Sequence, residues 1–357
     1  MIISIVGARP NIIKLAAISN EMAKYTDHRI LHTGQHYDYT MDKIFFDAFK
    51  LRAPEWNLGV GSGPHGKQTG MMLMGAEEIL KNFAPDAVIV YGDTNSTLAG
   101  ALAAVKMHIP TVHIEAGVRS HDMNMPEEVN RILVDHCANL LCCPTDIAYQ
   151  NLILEGISAP KSVNTGDVTA DIIKSILPSV EKIDVGMEKK SYIVATFHRA
   201  ENTDVVQYRT TIVNALSEIA KECPVVFPMH PRTRGMLTPG EHATLTGSGV
   251  RILEPVDYAT MIALTRAARC IVTDSGGLQK EAYLLGVPCV TTRSTTEWIE
   301  TTRNGWNTLM PPQTSTPHEI SVAALSATPA RHRGKHFGDG HAARHIVDAI
   351  KEMKVRS

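Results

Sequence analysis

Several short apolar runs in this chain end in residues that could do chemistry. Gly7-Ala8-Arg9-Pro10 is followed by Lys14, and Gly92-Asp93-Thr94-Asn95-Ser96 and Glu115-Ala116-Gly117-Val118-Arg119 each carry a carboxylate. Met125-Pro126-Glu127-Glu128-Val129-Asn130-Arg131 opens a helix-like stretch with acids and an arginine. Cations such as Arg9 and Lys14 oppose the dipole at a helix start, which favours an anion nearby. Asp93, Glu115 and Glu127 read together as a proton-transfer set, because crowded carboxylates shift one another's pKa values upward. Each also has a plainer reading: Asp93 as a helix N-cap, Glu127 and Arg131 as an exposed pair four residues apart, and Glu128 as an ordinary first-turn acid.

The second half offers anion-binding groups instead. His198 and Arg199 follow one apolar run and His230-Pro231-Arg232 another. Asp274-Ser275-Gly276-Gly277 precedes a helix carrying Glu281. Small residues at a helix start leave backbone N–H groups open to a diphosphate, and Glu281, one turn on, could accept from ribose hydroxyls or be a solvated helix acid.

Other patterns exclude alternatives. The glycine fingerprint G-x-G-x-x-G is missing after the first apolar run, which argues against nicotinamide-dependent redox epimerisation. Gly61 to Gln68 approaches a Walker A loop but has Gln68 where Ser or Thr must hold Mg²⁺. Tyr39 and Lys43 have short-chain dehydrogenase spacing without that fingerprint. Neither His32 with His36 nor His336, His341 and His345 has a partner at metal-site spacing, so no metal and no cofactor are expected.

These residues need a scaffold, and the chain has 357 of them, about two domains at roughly 150 residues each. Apolar residues make up 44% and charged residues 20%, an ordinary globular balance. A net charge of -2 gives no field for a polyanion, so nucleic acid is not an expected partner. No apolar run reaches the ~18 residues that span a bilayer, so no membrane is expected either. The six cysteines, without a C-x-x-C pair, suit a reducing, cytoplasmic setting.

Short β-branched runs alternate with amphipathic stretches, the signature of an α/β fold with parallel sheets. Strands are predicted at Ile2-Val6, Ile30-His32, Ala87-Tyr91, Thr111-Ile114, Leu140-Cys142 and Ser162-Asn164, then at Tyr192-Thr196, Val225-Met229, Arg251-Leu253, Cys270-Thr273 and Cys289-Thr291. Leu177-Lys190, charged and carrying Pro178, is the predicted linker between residues 1–176 and 191–339. Such sheets bind ligands at the carboxyl ends of their strands, where the chemical residues lie.

Taken together, Gly7-Ala-Arg-Pro10 with Lys14, Thr33-Gly-Gln-His36, Gly92-Asp-Thr94, His113-Ile-Glu-Ala-Gly117, Pro126 to Arg131, His198-Arg199 and Asp274-Ser-Gly-Gly277 resemble the non-hydrolysing UDP-N-acetylglucosamine 2-epimerases from residue 2 to about 300. The resemblance implies a GT-B architecture of two Rossmann-like domains facing across a cleft, with a last helix over about 340–357 returning to the first domain, and a homodimer. It implies inversion at C2 of a UDP-sugar without a nicotinamide: UDP leaves C1 as the C2 proton is removed, giving a 2-acetamidoglucal-like intermediate, and adds back with a proton on the opposite face. It assigns acid/base work to Asp93, Glu115 and Glu127, places His198 near the diphosphate, and gives Arg9, Lys14, Arg131, Arg199, Ser275, Gly276, Gly277 and Glu281 to the UDP-sugar. Gln35, His36, Gln68 and His230 fit a second, activating UDP-sugar site, although Asp38 and Lys67 depart from that pattern.

Another departure concerns the sugar. Thr296-Glu297-Trp298-Ile299-Glu300 stands where many members read T-E-R-P-E. With Gly305-Trp306-Asn307 and Phe337-Gly-Asp-Gly-His341, it resembles the branch acting on UDP-2,3-diacetamido-2,3-dideoxyglucuronate. A GT-B glycosyltransferase and a non-catalytic nucleotide-sugar sensor are the remoter readings.

Overall fold

The computed structural model describes residues 1–35, 46–329 and 332–356. The chain divides into two units, Met1–Lys174 with Lys335–Ser357, and Ser175–Gly334. The first is built on a parallel sheet of β1 (Ile2–Val6), β2 (His28–His32), β3 (Trp56–Asn57), β4 (Ala87–Tyr91), β5 (Thr111–Ile114), β6 (Leu140–Cys143) and β7 (Ser162–Asn164), in the order β3-β2-β1-β4-β5-β6-β7. Every pairing is parallel. Alternate residues of β1 feed opposite layers, as strand geometry requires. Ile2 and Val6 pack with Ile346, Val347 and Ile350 of the Ala342–Arg356 helix, while Ile3 and Ile5 pack with Ala76, Leu80, Ala101 and Ala104 on the other face. Burial on both faces is why these strands read as continuous apolar runs rather than alternating ones.

The second unit repeats the plan with β8 (Ile193–Thr196), β9 (Val225–Pro228), β10 (Arg251–Leu253), β11 (Cys270–Thr273), β12 (Cys289–Thr291) and β13 (Asn307–Leu309), ordered β10-β9-β8-β11-β12-β13. Ile193 and Ala195 join one core layer and Tyr192 and Val194 the other. In each sheet the winding direction reverses once, between β1 and β4 and between β8 and β11. Loops leaving adjacent strands part on either side of such a point, and ligands of doubly wound sheets bind in the crevice left there.

Three expectations change in detail. The predicted linker is fabric of the second unit: the Val168–Val180 helix runs into it, and Val185 and Met187 pack on that unit's core. Residues 335–339 group with the first unit, where the Phe337 carbonyl accepts from the Asp167 amide. The short edge strands β3 and β13 were not predicted, being too brief to carry a period.

Candidate active site

In the first unit, β1 delivers Gly7 and Ala8 to the start of the Arg9–Tyr25 helix, and β4 delivers Gly92 and Asp93 to the Asn95–Lys106 helix. Asn11 stitches the two loops together. Its Oδ1 accepts from the Gly7 and Ala8 amides at 3.3 and 3.2 Å and from the Thr94 hydroxyl at 3.1 Å, while its Nδ2 donates to the Tyr91 carbonyl at 2.7 Å. The helix after β4 is capped by Thr94, whose side chain accepts from the Thr97 amide, so capping falls to Thr94 and not to Asp93. The Asp93 carboxylate instead takes an ion pair from Arg131 at 2.5 Å, and its carbonyl accepts from Asn130 Nδ2 at 2.8 Å.

Arg131 is buried, and its other arm reaches Glu128 at 2.9 Å. Glu128 is therefore no ordinary first-turn acid. It is 1% exposed and accepts from the Ser120 and His121 amides at 2.9 and 2.8 Å. Burial alone would raise its pKa, but those amides and the Arg131 guanidinium outweigh burial and hold it below the usual carboxylate range. Glu127 lies in the first turn of the same Pro126–Cys137 helix, half-buried, and not at a strand end.

Glu115 follows β5 in a left-handed backbone conformation, φ 69°, which a non-glycine residue adopts at a cost. Its carboxylate pairs with the Lys14 ammonium at 2.7 Å, with both side chains about 10% exposed. Beneath them lies Gly92, φ 63°, where a Cβ would come within 2.6 Å of Lys14 Nζ and 3.5 Å of Glu115 Oε1. The glycine admits the ion pair, and the pair sits against the residue that precedes Asp93. Two of the three expected carboxylates thus lie on the loops that follow the neighbouring strands β4 and β5, Asp93 paired with Arg131 and Glu115 with Lys14. Arg9, half-exposed, begins the helix that carries Lys14.

Sequence reasoning gave no role to what lies under these loops. His113, in β5, approaches Asp135 with Nδ1 at 2.6 Å and the Gly92 carbonyl with Nε2 at 2.7 Å. Asp135 also accepts from the Gly117 amide at 3.0 Å and pairs with Arg119 at 2.7 Å, and Arg119 pairs with Glu155 at 2.7 Å. His113 heads one of the motifs that carry the family resemblance, and its place as a polar residue inside an apolar strand is the signal of this buried role.

In the second unit the organising group is Asp274, fully buried at the end of β11. Its carboxylate accepts from the amides of His198 and Arg199, at 3.0 Å in each case, and from Asn202 Nδ2 at 3.1 Å, tying the β8 loop to the β11 loop. Arg199 Nε donates to the Asp274 carbonyl at 3.1 Å. The His198 ring stacks on His230 with centroids 4.9 Å apart. Ser275 caps the Gly276–Leu285 helix through the Leu278 amide. A Cβ on Gly276 would collide with Glu297, whereas one on Gly277 would meet nothing nearer than Ser275 Oγ at 3.9 Å. Gly276 therefore makes room for a carboxylate, and Gly277 presents the open amide turn. Glu281 is buried, not solvated. Glu297 pairs with Arg293 at 2.8 Å and lies 3.7 Å from Arg199. Trp298 is itself buried, with the Lys280 ammonium 4.0 Å above its ring.

Of the residues considered for a second ligand, Gln35 accepts from the Ser96 amide at 2.9 Å, and Gln68 donates to the Gln35 and Gly61 carbonyls and accepts from Asn95. Both amides are built into the first unit. His230 belongs with His198, and His36, like Asp38, Tyr39 and Lys43, lies outside the described residues.

A family model described as UDP-N-acetylglucosamine 2-epimerase matches residues 19–351. The chain belongs to that family. A UDP-N-acetylglucosamine 2-epimerase homolog of Methanococcus maripaludis is 46% identical over 99% of both chains, and the UDP-2,3-diacetamido-2,3-dideoxy-D-glucuronate 2-epimerase of Pseudomonas aeruginosa is 43% identical over 99% of both. The crystal structure of Methanocaldococcus jannaschii UDP-GlcNAc 2-epimerase in complex with UDP-GlcNAc and UDP superposes with a TM-score of 0.91 at 40% identity, covering 99% of this chain and 100% of that one. A lipopolysaccharide outer core galactosyltransferase, 13% identical with a TM-score of 0.55, shares the fold alone. The two parallel-sheet units are thus those of a GT-B-like epimerase.

Proposed function

We propose that this member of the family interconverts UDP-GlcNAc and UDP-ManNAc by eliminating and re-adding UDP. The observation that carries the reading is the pairing of two carboxylates with two cations at the β4–β5 loops, Asp93 with Arg131 and Glu115 with Lys14. The C2 hydrogen of a glycoside is not adjacent to a carbonyl, so its removal must accompany loss of the C1 substituent. One of these carboxylates can take that proton, and the second, on another loop, can serve the return from the opposite face. Glu127 is the third acid/base candidate. Arg9, Lys14 and Arg131 supply cations in the first unit. In the second unit His198, Arg199 and the amide turn at Ser275, Gly276 and Gly277 would stabilise the departing diphosphate, and Glu281 would meet the ribose.

A second sugar is favoured by particular residues. Trp298 replaces the arginine of T-E-R-P-E, and the relative named for the diacetamido-glucuronate is 43% identical. We further propose a cytoplasmic homodimer serving cell-surface polysaccharide precursors; the six cysteines are all free, five of them buried, which suits a reducing compartment. Gln35, Gln68 and His230 remain the candidates for a second UDP-sugar site.

The test is incubation with UDP-GlcNAc in D₂O without added nicotinamide, and in parallel with the diacetamido uronate. Deuterium at C2 and a mixture of C2 epimers are expected from the true substrate. Recovery of both sugars with protium at C2 would end the proposal, and free UDP accumulating with free sugar would mark a hydrolase instead.

A further inference from the structure

The buried groups beneath the β4–β5 loops carry an inference beyond that reading, though resting on it for the identity of the reaction. His113 is 0% exposed and Asp135 1%. A main-chain carbonyl only accepts hydrogen bonds, so the 2.7 Å contact to the Gly92 oxygen requires a proton on Nε2. Nδ1 faces Asp135 at 2.6 Å. Asp135 also takes the permanently charged Arg119 guanidinium at 2.7 Å and the Gly117 amide at 3.0 Å, contacts that a buried carboxylate accepts as the anion. An ionised Asp135 accepts, and Nδ1 must donate as well.

We propose that His113 is a doubly protonated positioning residue, whose imidazolium grips the Gly92 carbonyl and thereby sets the Asp93 carboxylate in place for proton transfer. Gly92 and Asp93 are adjacent, so the gripped carbonyl belongs to the peptide that leads into Asp93, and the next carbonyl, of Asp93 itself, is held by Asn130 at 2.8 Å. The same dyad reaches the other carboxylate. His113 stands two residues before Glu115 on β5, and Asp135 holds the Gly117 amide at 3.0 Å, closing the turn in which Glu115 takes its left-handed conformation. One buried ion pair therefore sets the loops of both acids without touching substrate.

Two variants separate positioning from simple support. In His113→Asn the amide nitrogen falls near the place of Nδ1, keeping a bond to Asp135 and losing the one to Gly92. In His113→Gln it falls near the place of Nε2 and keeps the grip on Gly92. For UDP-GlcNAc, His113→Asn should lower kcat by about 10²-fold with KM unchanged, the scale of loss when a reacting group is misplaced by about 1 Å, and His113→Gln should recover most of it. Equal kcat for the two variants, or wild-type kcat in His113→Asn, would overturn the proposal. A second readout needs no turnover: in ¹⁵N spectra of the wild type, with His113 assigned by its disappearance in His113→Gln, both ring nitrogens should carry protons. A neutral ring with one bare nitrogen would overturn the proposal on its own. Absence of turnover in the wild type would fail the assigned reaction while leaving the nitrogen spectrum to judge His113.

Discussion

At the scale of single residues the proposed site pairs its carboxylates with buried cations, Arg131 serving Asp93 and Glu128 together. Asp93 has Arg131, and Glu115 has Lys14. In the proposed mechanism these two carboxylates exchange the C2 proton. Removing the charge while keeping the shape should therefore stop chemistry and leave nucleotide binding alone. Asp93→Asn or Glu115→Gln is expected to lower C2 exchange by about 10²- to 10⁴-fold, with UDP affinity by calorimetry unchanged. Wild-type exchange in either variant would remove that residue from the mechanism. Glu128 has the opposite character, since its buried pair with Arg131 and two amides is structural. Glu128→Ala takes one of two carboxylates from the buried Arg131 and leaves the Ser120 and His121 amides without their acceptor, and should cost about 3 kcal/mol in denaturant unfolding, whereas a solvated helix acid would cost next to nothing.

At the scale of elements, the positions of strands and loops were legible because a sheet buried on both faces writes itself as apolar runs. The acids at the ends of β4 and β5 were legible because those runs stop at them. Register at the caps was not. Asp93 and Thr94 are both good N-caps by type, and only the turn after β4 decides that Thr94 caps while Asp93 reaches Arg131. Accordingly Thr94→Ala should cost about 1 kcal/mol of stability, and Asp93→Asn should not lose a cap. The roles of Asn11, His113 and Asp274 were not legible for a shared reason, different from the brevity that hid β3 and β13. Each depends on a partner far away in sequence, such as Tyr91 for Asn11 at 2.7 Å. Gly92 shows how tightly these loops are drawn: Gly92→Ala places a methyl against Lys14 at a positive φ, and should cost roughly 1–3 kcal/mol along with most of the exchange activity.

At the scale of the whole molecule, the same doubly wound plan appears twice with different residues at its strand ends: carboxylates and cations after β1, β4 and β5 in the first unit, and in the second the His198, Arg199 and Ser275 to Gly277 groups proposed to hold the diphosphate. The first unit's stability should also depend on pH. His28 is buried beside Ser4, at 2.8 Å, and burial lowers its pKa from 6.5 to about 4. A histidine depressed in the folded state contributes stability above pH 6.5 that is lost as pH falls towards 4, because the unfolded chain takes up the proton first. The shift corresponds to about 3 kcal/mol, and His28→Gln should flatten that part of the unfolding profile. The central claim, that the C1–oxygen bond to UDP breaks and re-forms while the C2 proton is exchanged, is tested most directly by placing ¹⁸O in the bridge between C1 and the β-phosphate of UDP-GlcNAc. Turnover should scramble the label into the non-bridging β-phosphate positions while the C2 epimers equilibrate; epimers that equilibrate with the label still wholly in the bridge would contradict the account.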